Sequence, residues 1–275
     1  MNHPLIRYHG GKFRIADWII SNFPKHSTYV EPFGGGASVL LNKMPCDLEI
    51  YNDLDSDVVN FFKVLRCDIK RTKLIQQIKL TPYARDEFLE AYEHTECEIE
   101  KARRLVVRAQ MGFGSAGATK GRTGFRCTGG RDKAYEAKLW SEFPERITHA
   151  IKRLKDVYIE NDDALKIIKQ YDSEETLFFV DPPYLCSTRD SGTKAYKHDL
   201  TDDQHIELLD LLLATKGKVI LSGYRSDLYE EKLKPWKMLC KSTQASGALG
   251  GVSREEILWI NPQAENQGDL FGGAA

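Results

Sequence analysis

Two hydrophobic periods alternate along the chain, and their alternation predicts an α/β fold. Short runs rich in β-branched and aromatic residues read as strands over 29–33, 48–53, 157–160, 176–180, 218–222, 236–241 and 255–260. The run Thr176 to Val180 is the most apolar, as a central strand buried on both faces should be. Stretches of helical period separate these runs. The clearest spans Asp202 to Lys216: Thr201 and Gln204 match a capping box, and Ile206, Leu209 and Leu213 line one face with Leu208 and Leu212 beside it. Ala37–Lys43, Ser56–Leu65 and Ala164–Tyr171 are further helix candidates, and a Gly/Ser-rich loop divides the last two strands. Residues 66–149 read mostly helical and lack buried-strand runs. They are read as an insertion into an α/β domain built from 1–65 and 150–275. The polar, glycine-rich tail after Asn261 is expected to be mobile.

Composition narrows this picture. At 275 residues, with 41% apolar and 29% charged positions, the chain is an ordinary globular protein with a sizeable core. No apolar run approaches the ~18 residues of a membrane span, and the polar, glycine-containing start lacks the apolar centre of a signal peptide. The six cysteines contain no C-x-x-C pair, so neither a metal site nor a disulfide framework is expected. The chain reads as a cytoplasmic monomer. The net charge of −1 excludes a protein that is basic all over, but a local patch remains open. Lys101 to Lys133 holds nine basic residues against one acid, Asp132, with seven glycines and Phe113 and Phe125 among them. Just before it, Asp86 to Glu100 is strongly acidic.

Four places carry candidate chemistry. In Glu31-Pro32-Phe33-Gly34-Gly35-Gly36-Ala37-Ser38-Val39 a strand runs into three glycines, which permits a tight turn and close approach to a ligand. The match to G-x-G-x-x-G is incomplete, so a plain strand-to-helix turn is as good a reading. Asp53 ends the next strand, where an acid can accept hydrogen bonds from both ribose hydroxyls of an adenosine. Its bland alternative is a helix cap, a task that Asp55 or Ser56 could also perform. Tyr8-His9-Gly10-Gly11-Lys12 is no P-loop, and spacing alone favours a solvated terminal turn. The sharpest signal is Asp181-Pro182-Pro183-Tyr184, directly after the most apolar strand. A carboxylate there faces the ligand crevice of an open α/β sheet, and two prolines hold it and the tyrosine in a stiff turn. The alternative is a proline-terminated strand with a capping Asp.

Taken together and in this order, these features resemble the Dam-like (D12-class) DNA adenine-N6 methyltransferases, in a phage- or prophage-type form. Asp181-Pro182-Pro183-Tyr184 matches the family's catalytic tetrad. Glu31 to Ala37 resembles its S-adenosylmethionine motif Glu-Pro-Phe-x-Gly-x-Gly, with Ala37 for the last glycine. Tyr8-His9-Gly10-Gly11-Lys12 resembles its N-terminal aromatic-x-Gly-Gly-Lys motif, which reverses the bland reading of Lys12. The resemblance covers nearly the whole chain. It implies a Rossmann-like, seven-stranded, mostly parallel sheet with a terminal antiparallel hairpin, plus a mainly helical target-recognition insertion at 66–149. It also implies cofactor contacts at Tyr8, Gly10, Gly11, Lys12, Glu31, Pro32, Phe33, Gly34, Gly35, Gly36, Asp53, Asp163 and Asp181. Asp163 is assigned although Ala164 stands where the family has an aromatic residue. The run by which Dam reads GATC has no counterpart; Met111-Gly112-Phe113-Gly114-Ser115 and Thr123-Gly124-Phe125-Arg126 stand in its place, leaving the recognised site open.

The implied reaction moves a methyl group to the exocyclic nitrogen of an adenine in double-stranded DNA. Asp181 and the Pro182 carbonyl would accept the amino protons, and Tyr184 would stack on the flipped base. No metal is required. Lys120, Arg122 and Arg126 of the insertion are expected to contact DNA. Three rivals use the same residues: methylation of an RNA base or a protein glutamine amide, a non-catalytic DNA-binding relative, and, more weakly, a nicotinamide dehydrogenase with a broken glycine fingerprint.

Overall fold

A computed structural model describes residues 3–114, 117–119, 121–127, 135–188, 197–247 and 250–265. The tail from residue 266 and the basic residues Lys120, Arg131 and Lys133 lie outside these. Seven strands form one sheet: β1 (Thr28–Glu31), β2 (Leu48–Asn52), β3 (Val157–Glu160), β4 (Thr176–Val180), β5 (Lys218–Gly223), β6 (Lys237–Gly247) and β7 (Gly250–Ile260). Their order is β3-β2-β1-β4-β5-β7-β6. Every pairing from β3 to β5 is parallel, and β7 runs antiparallel to both its neighbours. The chain therefore winds outward from β1 in one direction and from β4 in the other. Between them lies the topological switch point, where loops diverge and leave a crevice at the carboxyl ends of the strands.

Alternating side chains divide the core into two layers. Tyr29, Tyr51, Leu177, Phe179, Ile220 and Leu258 face one cluster, and Val30, Ile50, Phe178, Val180, Leu221 and Trp259 face the other. The second layer is closed by helices Ala164–Tyr171 and Asp202–Ala214. The latter begins at the capping box read in the sequence: Gln204 N donates to Thr201 Oγ1 at 3.2 Å, and Thr201 N donates to Gln204 Oε1 at 2.9 Å. The first layer is closed by helices of residues 66–154. Helices Asp68–Leu80, Glu98–Met111 and Phe143–Leu154 pack on one another and on Ser56–Arg66. Leu105, Val106 and Phe143 share one continuous core with Phe61, Phe62 and Tyr51. The helix Phe143–Leu154 also runs across the expected boundary at residue 149.

Two local expectations are corrected. Ala37 to Lys43 forms successive turns rather than a helix, and Ala37 itself, at φ = +52°, lies in the left-handed region from which a helix cannot start. A methyl-bearing residue there costs about 1 kcal/mol relative to glycine. Apart from residues 248 and 249, which lie outside the described residues, the Gly/Ser-rich stretch between the last two strands is paired strand and no loop. It pairs from Lys237↔Ile260 to Gly247↔Gly250, whereas β7 meets β5 only from Ile220↔Ile260 to Gly223↔Ile257. The rest of the ribbon projects past the carboxyl end of β5. Among the described residues, no helix is long and apolar enough to cross a membrane, and no His/Cys/Asp/Glu cluster could hold a metal ion.

Candidate active site at the switch point

A cavity of about 630 Å³ opens where the carboxyl ends of β1, β2, β3 and β4 converge. All thirteen residues expected to hold a cofactor line it, from Tyr8 and Lys12 through Glu31–Gly36 to Asp53, Asp163 and Asp181. Its volume lies within the range of small-molecule sites.

The glycine turn is shaped by β2. A Cβ on Gly34 would stand 2.2 Å from the Tyr51 ring, and Gly35 has φ = +47°. Tyr51 Oη donates to the Gly35 carbonyl at 2.7 Å, and the Gly35 N–H donates to Asp53 Oδ2 at 2.7 Å. Asp53 Oδ1 accepts from Asp55 N at 2.7 Å. Asp55, not Asp53, caps the next helix by accepting from Asp57 N at 3.0 Å. Asp53 is thus held by two backbone N–H groups at the cavity wall, with lone pairs left for further donors. Burial pushes its carboxyl up to about 6, against the pull of those two bonds. Asp163 does cap its helix, through Oδ1 to Leu165 N and Lys166 N. Glu31 is buried and accepts from Tyr29 Oη at 2.7 Å; burial raises it to about 7.

Asp181 sits at the other side of the switch point. The Lys12 ammonium, 5% exposed, approaches its Oδ2 at 2.9 Å and donates to the Gly10 carbonyl at 2.7 Å. Oδ1 is buried and accepts no hydrogen bond of normal geometry among the described residues. Burial raises the carboxyl to about 6 despite the neighbouring cation. Pro182 and Tyr184 do not line the cavity. The Tyr184 ring is 8% exposed, with the Lys12 ammonium 4.9 Å from its centroid and the edge of Tyr224 packed at 4.5 Å. Its hydroxyl donates to Glu256 Oε2 at 2.9 Å and lies 3.2 Å from Ser222 Oγ.

The expected DNA contacts differ from one another. Lys120 lies outside the described residues. Arg122 is exposed, 3.1 Å from Glu93. Arg126 is turned inward: it donates to the Gly112 and Gly114 carbonyls at 3.1 and 2.8 Å and pairs with Glu136 at 3.4 Å. The basic run is largely neutralised by the acids that precede it in sequence. All six of its described members, Lys101, Arg103, Arg104, Arg108, Arg122 and Arg126, form ion pairs.

Sequence reasoning missed Ser222, Tyr224 and Glu256, which reach the tetrad from β5, the residue after it, and β7. It also missed Lys197, which bridges Asp55 at 3.0 Å and Asp57 at 3.4 Å at the rim of the cavity. No local pattern announces any of the four; only the register of the sheet brings the first three to Tyr184.

Comparison with known proteins adds a functional class. Residues 8–246 match the family model of the D12 class N6 adenine-specific DNA methyltransferases. The chain is 27% identical to the type II methyltransferase M.MjaIII of Methanocaldococcus jannaschii over 233 residues, covering 74% of this chain and 77% of that one. It is 22% identical to the DNA adenine methylase of Salmonella typhi and 23% identical to that of Escherichia coli, each comparison covering 93% of both chains.

Proposed function

The chain belongs to the D12 class of N6 adenine-specific DNA methyltransferases, and from that premise we propose that Asp181, Pro182 and Tyr184 perform the methyl transfer while the adjoining cavity holds S-adenosylmethionine. The reaction is methylation of the exocyclic nitrogen of adenine in DNA. The observation that carries the residue assignment is the state of Asp181: an anchored carboxylate at the switch point whose second oxygen is buried and, among the described residues, accepts no hydrogen bond of normal geometry, with the Tyr184 hydroxyl acting on the same carboxyl. A buried polar atom left unsatisfied costs about 1–3 kcal/mol, so it marks a place prepared for a donor.

The cavity suits the cofactor on three counts. Its volume is adequate, Asp53 offers acceptor capacity for ribose hydroxyls, and the turn at Gly34 and Gly35 brings backbone close to a ligand without side chains intervening. Tyr8 to Lys12, Glu31 to Gly36 and Asp163 complete the wall. When bound, S-adenosylmethionine supplies an electrophilic methyl on a positively charged sulfur.

The chain's own residues act on the amine. An adenine amino nitrogen is a poor nucleophile because its lone pair is delocalised into the ring. Asp181 accepts one of its N–H groups and the Pro182 carbonyl accepts the other, which favours the tetrahedral nitrogen and aims its lone pair. Pro182 and Pro183 fix that geometry by restricting the backbone. Tyr184 stacks on the base, returning roughly 1–3 kcal/mol against the cost of flipping. To reach the ring and carboxylate, the base displaces the Lys12 ammonium, which now lies against both. Of the three expected DNA contacts, Arg122 is the described one with an exposed guanidinium, and it is the candidate to meet phosphate.

The test is Asp181→Ala. Methyl transfer to DNA falls by at least about a hundredfold, as when one transition-state partner is removed, while S-adenosylmethionine still binds. Activity within about tenfold of wild type, only ~1.4 kcal/mol of barrier, refutes the assignment.

A further inference from the structure

Tyr184 is held at both ends. Its backbone follows Pro182-Pro183, and its hydroxyl donates to Glu256 in β7, lies beside Ser222 in β5 and also acts on the Asp181 carboxyl. Ser222 is fully buried. Strand alternation sends neighbouring Glu255 the other way, to Arg225 at 3.1 Å, and leaves Glu256 pointing at the tetrad. The pairing Gly223↔Ile257 sets Glu256 just past the point where β7 leaves β5. A carboxylate acceptor makes a stronger bond to a phenol than a neutral one does. The backbone turn alone leaves two side-chain torsions free, and a ring free to swing loses stacking geometry.

Resting on the reading of Asp181 and Tyr184 as the catalytic turn, we propose that Glu256, seconded by Ser222, is the positioning residue that fixes the plane of the Tyr184 ring for stacking on the target base. It acts through the tyrosine and not on the reacting atoms. The negative charge of Glu256 also reaches Asp181, where it adds to the effect of burial in raising that carboxyl. The projecting ribbon from Ser242 to Arg254 begins immediately beyond this contact, so the ring's anchor is also the ribbon's base.

The test is a kinetic cycle on the full chain. It comprises Tyr184→Phe, Glu256→Ala, Glu256→Gln and the double variant Tyr184→Phe/Glu256→Ala, with Asp181→Ala as control. Each is followed by kcat and KM for DNA, the S-adenosylmethionine Kd and Tm. Tyr184→Phe keeps the ring and loses the hydroxyl with its contacts to Glu256, Ser222 and Asp181. It and Glu256→Ala should each lower kcat/KM for DNA by about tenfold, the worth of one charge-assisted hydrogen bond. The double variant should be no worse than the poorer single, because both remove the same contact. Glu256→Gln, which can still accept from the phenol, should recover most of the loss, and cofactor affinity should not change. Wild-type kinetics in Glu256→Ala, or losses that multiply in the double variant, would overturn the proposal. So would a loss in Glu256→Gln equal to that in Glu256→Ala. If Asp181→Ala stays within tenfold of wild type, the reading of the tetrad itself fails. If Asp181→Ala is inactive while Glu256→Ala is normal, only the positioning role fails.

Discussion

The switch-point cavity and the helical insertion both gather charge, but they treat it in opposite ways. At the cavity, Asp53, Glu31 and Asp181 are buried faster than they are compensated, and all three are pushed to higher pKa. In the insertion, charge is cancelled on the spot. Arg103 is 9% exposed and lies 2.7 Å from Glu87 and 2.8 Å from Glu100; Arg104 shares Glu100 at 2.7 Å. Glu100 there is pulled down, against its partial burial, by its bonds to Arg103 and Arg104. Charge at the cavity wall is held chiefly against burial, whereas paired charge in residues 66–149 holds helices together. A run of basic residues is therefore no measure of the field a nucleic acid would meet.

This contrast can be broken at its strongest point by Arg103→Ala. Removing this buried guanidinium leaves Glu87 without its partner and Glu100 with Arg104 alone, which costs up to about 3 kcal/mol of stability, the low end for a broken buried pair because both carboxylates keep some contact with solvent. Thermal unfolding should show a Tm loss of many degrees, and a change of one or two degrees would show that the insertion does not depend on its pairs. At the cavity, Asp53→Ala should weaken S-adenosylmethionine binding by about tenfold or more, since each ribose bond to a charged acceptor is worth roughly 1.5–3 kcal/mol. Calorimetry giving an unchanged Kd would reduce Asp53 to a support for Gly35 and Asp55.

A pH series sharpens the comparison further. Asp181 must be ionised to accept from the amine, and its carboxyl lies at about 6. Activity should be at its plateau above pH 7, near half at pH 6, and should fall about tenfold per unit below that. Stability should move the other way over this range. Glu31, Asp53 and Asp181 all hold protons in the native state that the unfolded chain, with ordinary carboxyls near 4, has released. Their contribution therefore increases as pH falls from 7 towards 5. Loss of activity at pH 5.5 without loss of Tm separates titration of the site from unfolding. A flat activity profile between pH 7 and 5.5 would remove Asp181 from the reaction. The smallest effect is reserved for Arg122→Ala. If its exposed guanidinium meets a phosphate, the plot of log affinity against log salt flattens by about 0.9, with Tm unchanged. Arg126→Ala should do the reverse, lowering Tm while the slope stays put, because its donors serve Gly112, Gly114 and Glu136.

What the sequence reveals depends on range. The capping box at Thr201 and Gln204, the seven strands, and Asp181 behind an apolar strand are local patterns, and the fold keeps them. Asp53 is legible because strand and helix signals flank it and Asp55 stands ready to cap. Ala37 was readable only as a small residue, since the positive φ belongs to the turn packed under Tyr51 and not to alanine. The inward Arg126 and the paired Arg103 were hidden because their partners arrive from other helices. Glu256 was hidden more deeply: it lies 72 positions beyond Tyr184, and nothing short of the β5–β7 register links them. The ribbon misled for another reason: glycine and serine lower strand propensity, but cross-strand pairing over eleven positions outweighs it.

The core shared by the helices Ser56–Arg66 and Glu98–Met111 bears on modularity. Leu105 and Val106 are buried against the same cluster as Phe61 and Phe62, and burying each such side chain contributes about 1.5–3 kcal/mol. The helix they cover begins at Asp55, on the rim of the cavity. Residues 66–149 are therefore not a cassette. Transplanting them from a relative would expose the core that they share with Ser56–Arg66 and disturb the cavity rim. Where this segment is to be exchanged between members of the family, the graft has to begin after Met111, beyond the last helical turn that the two parts of the chain hold in common.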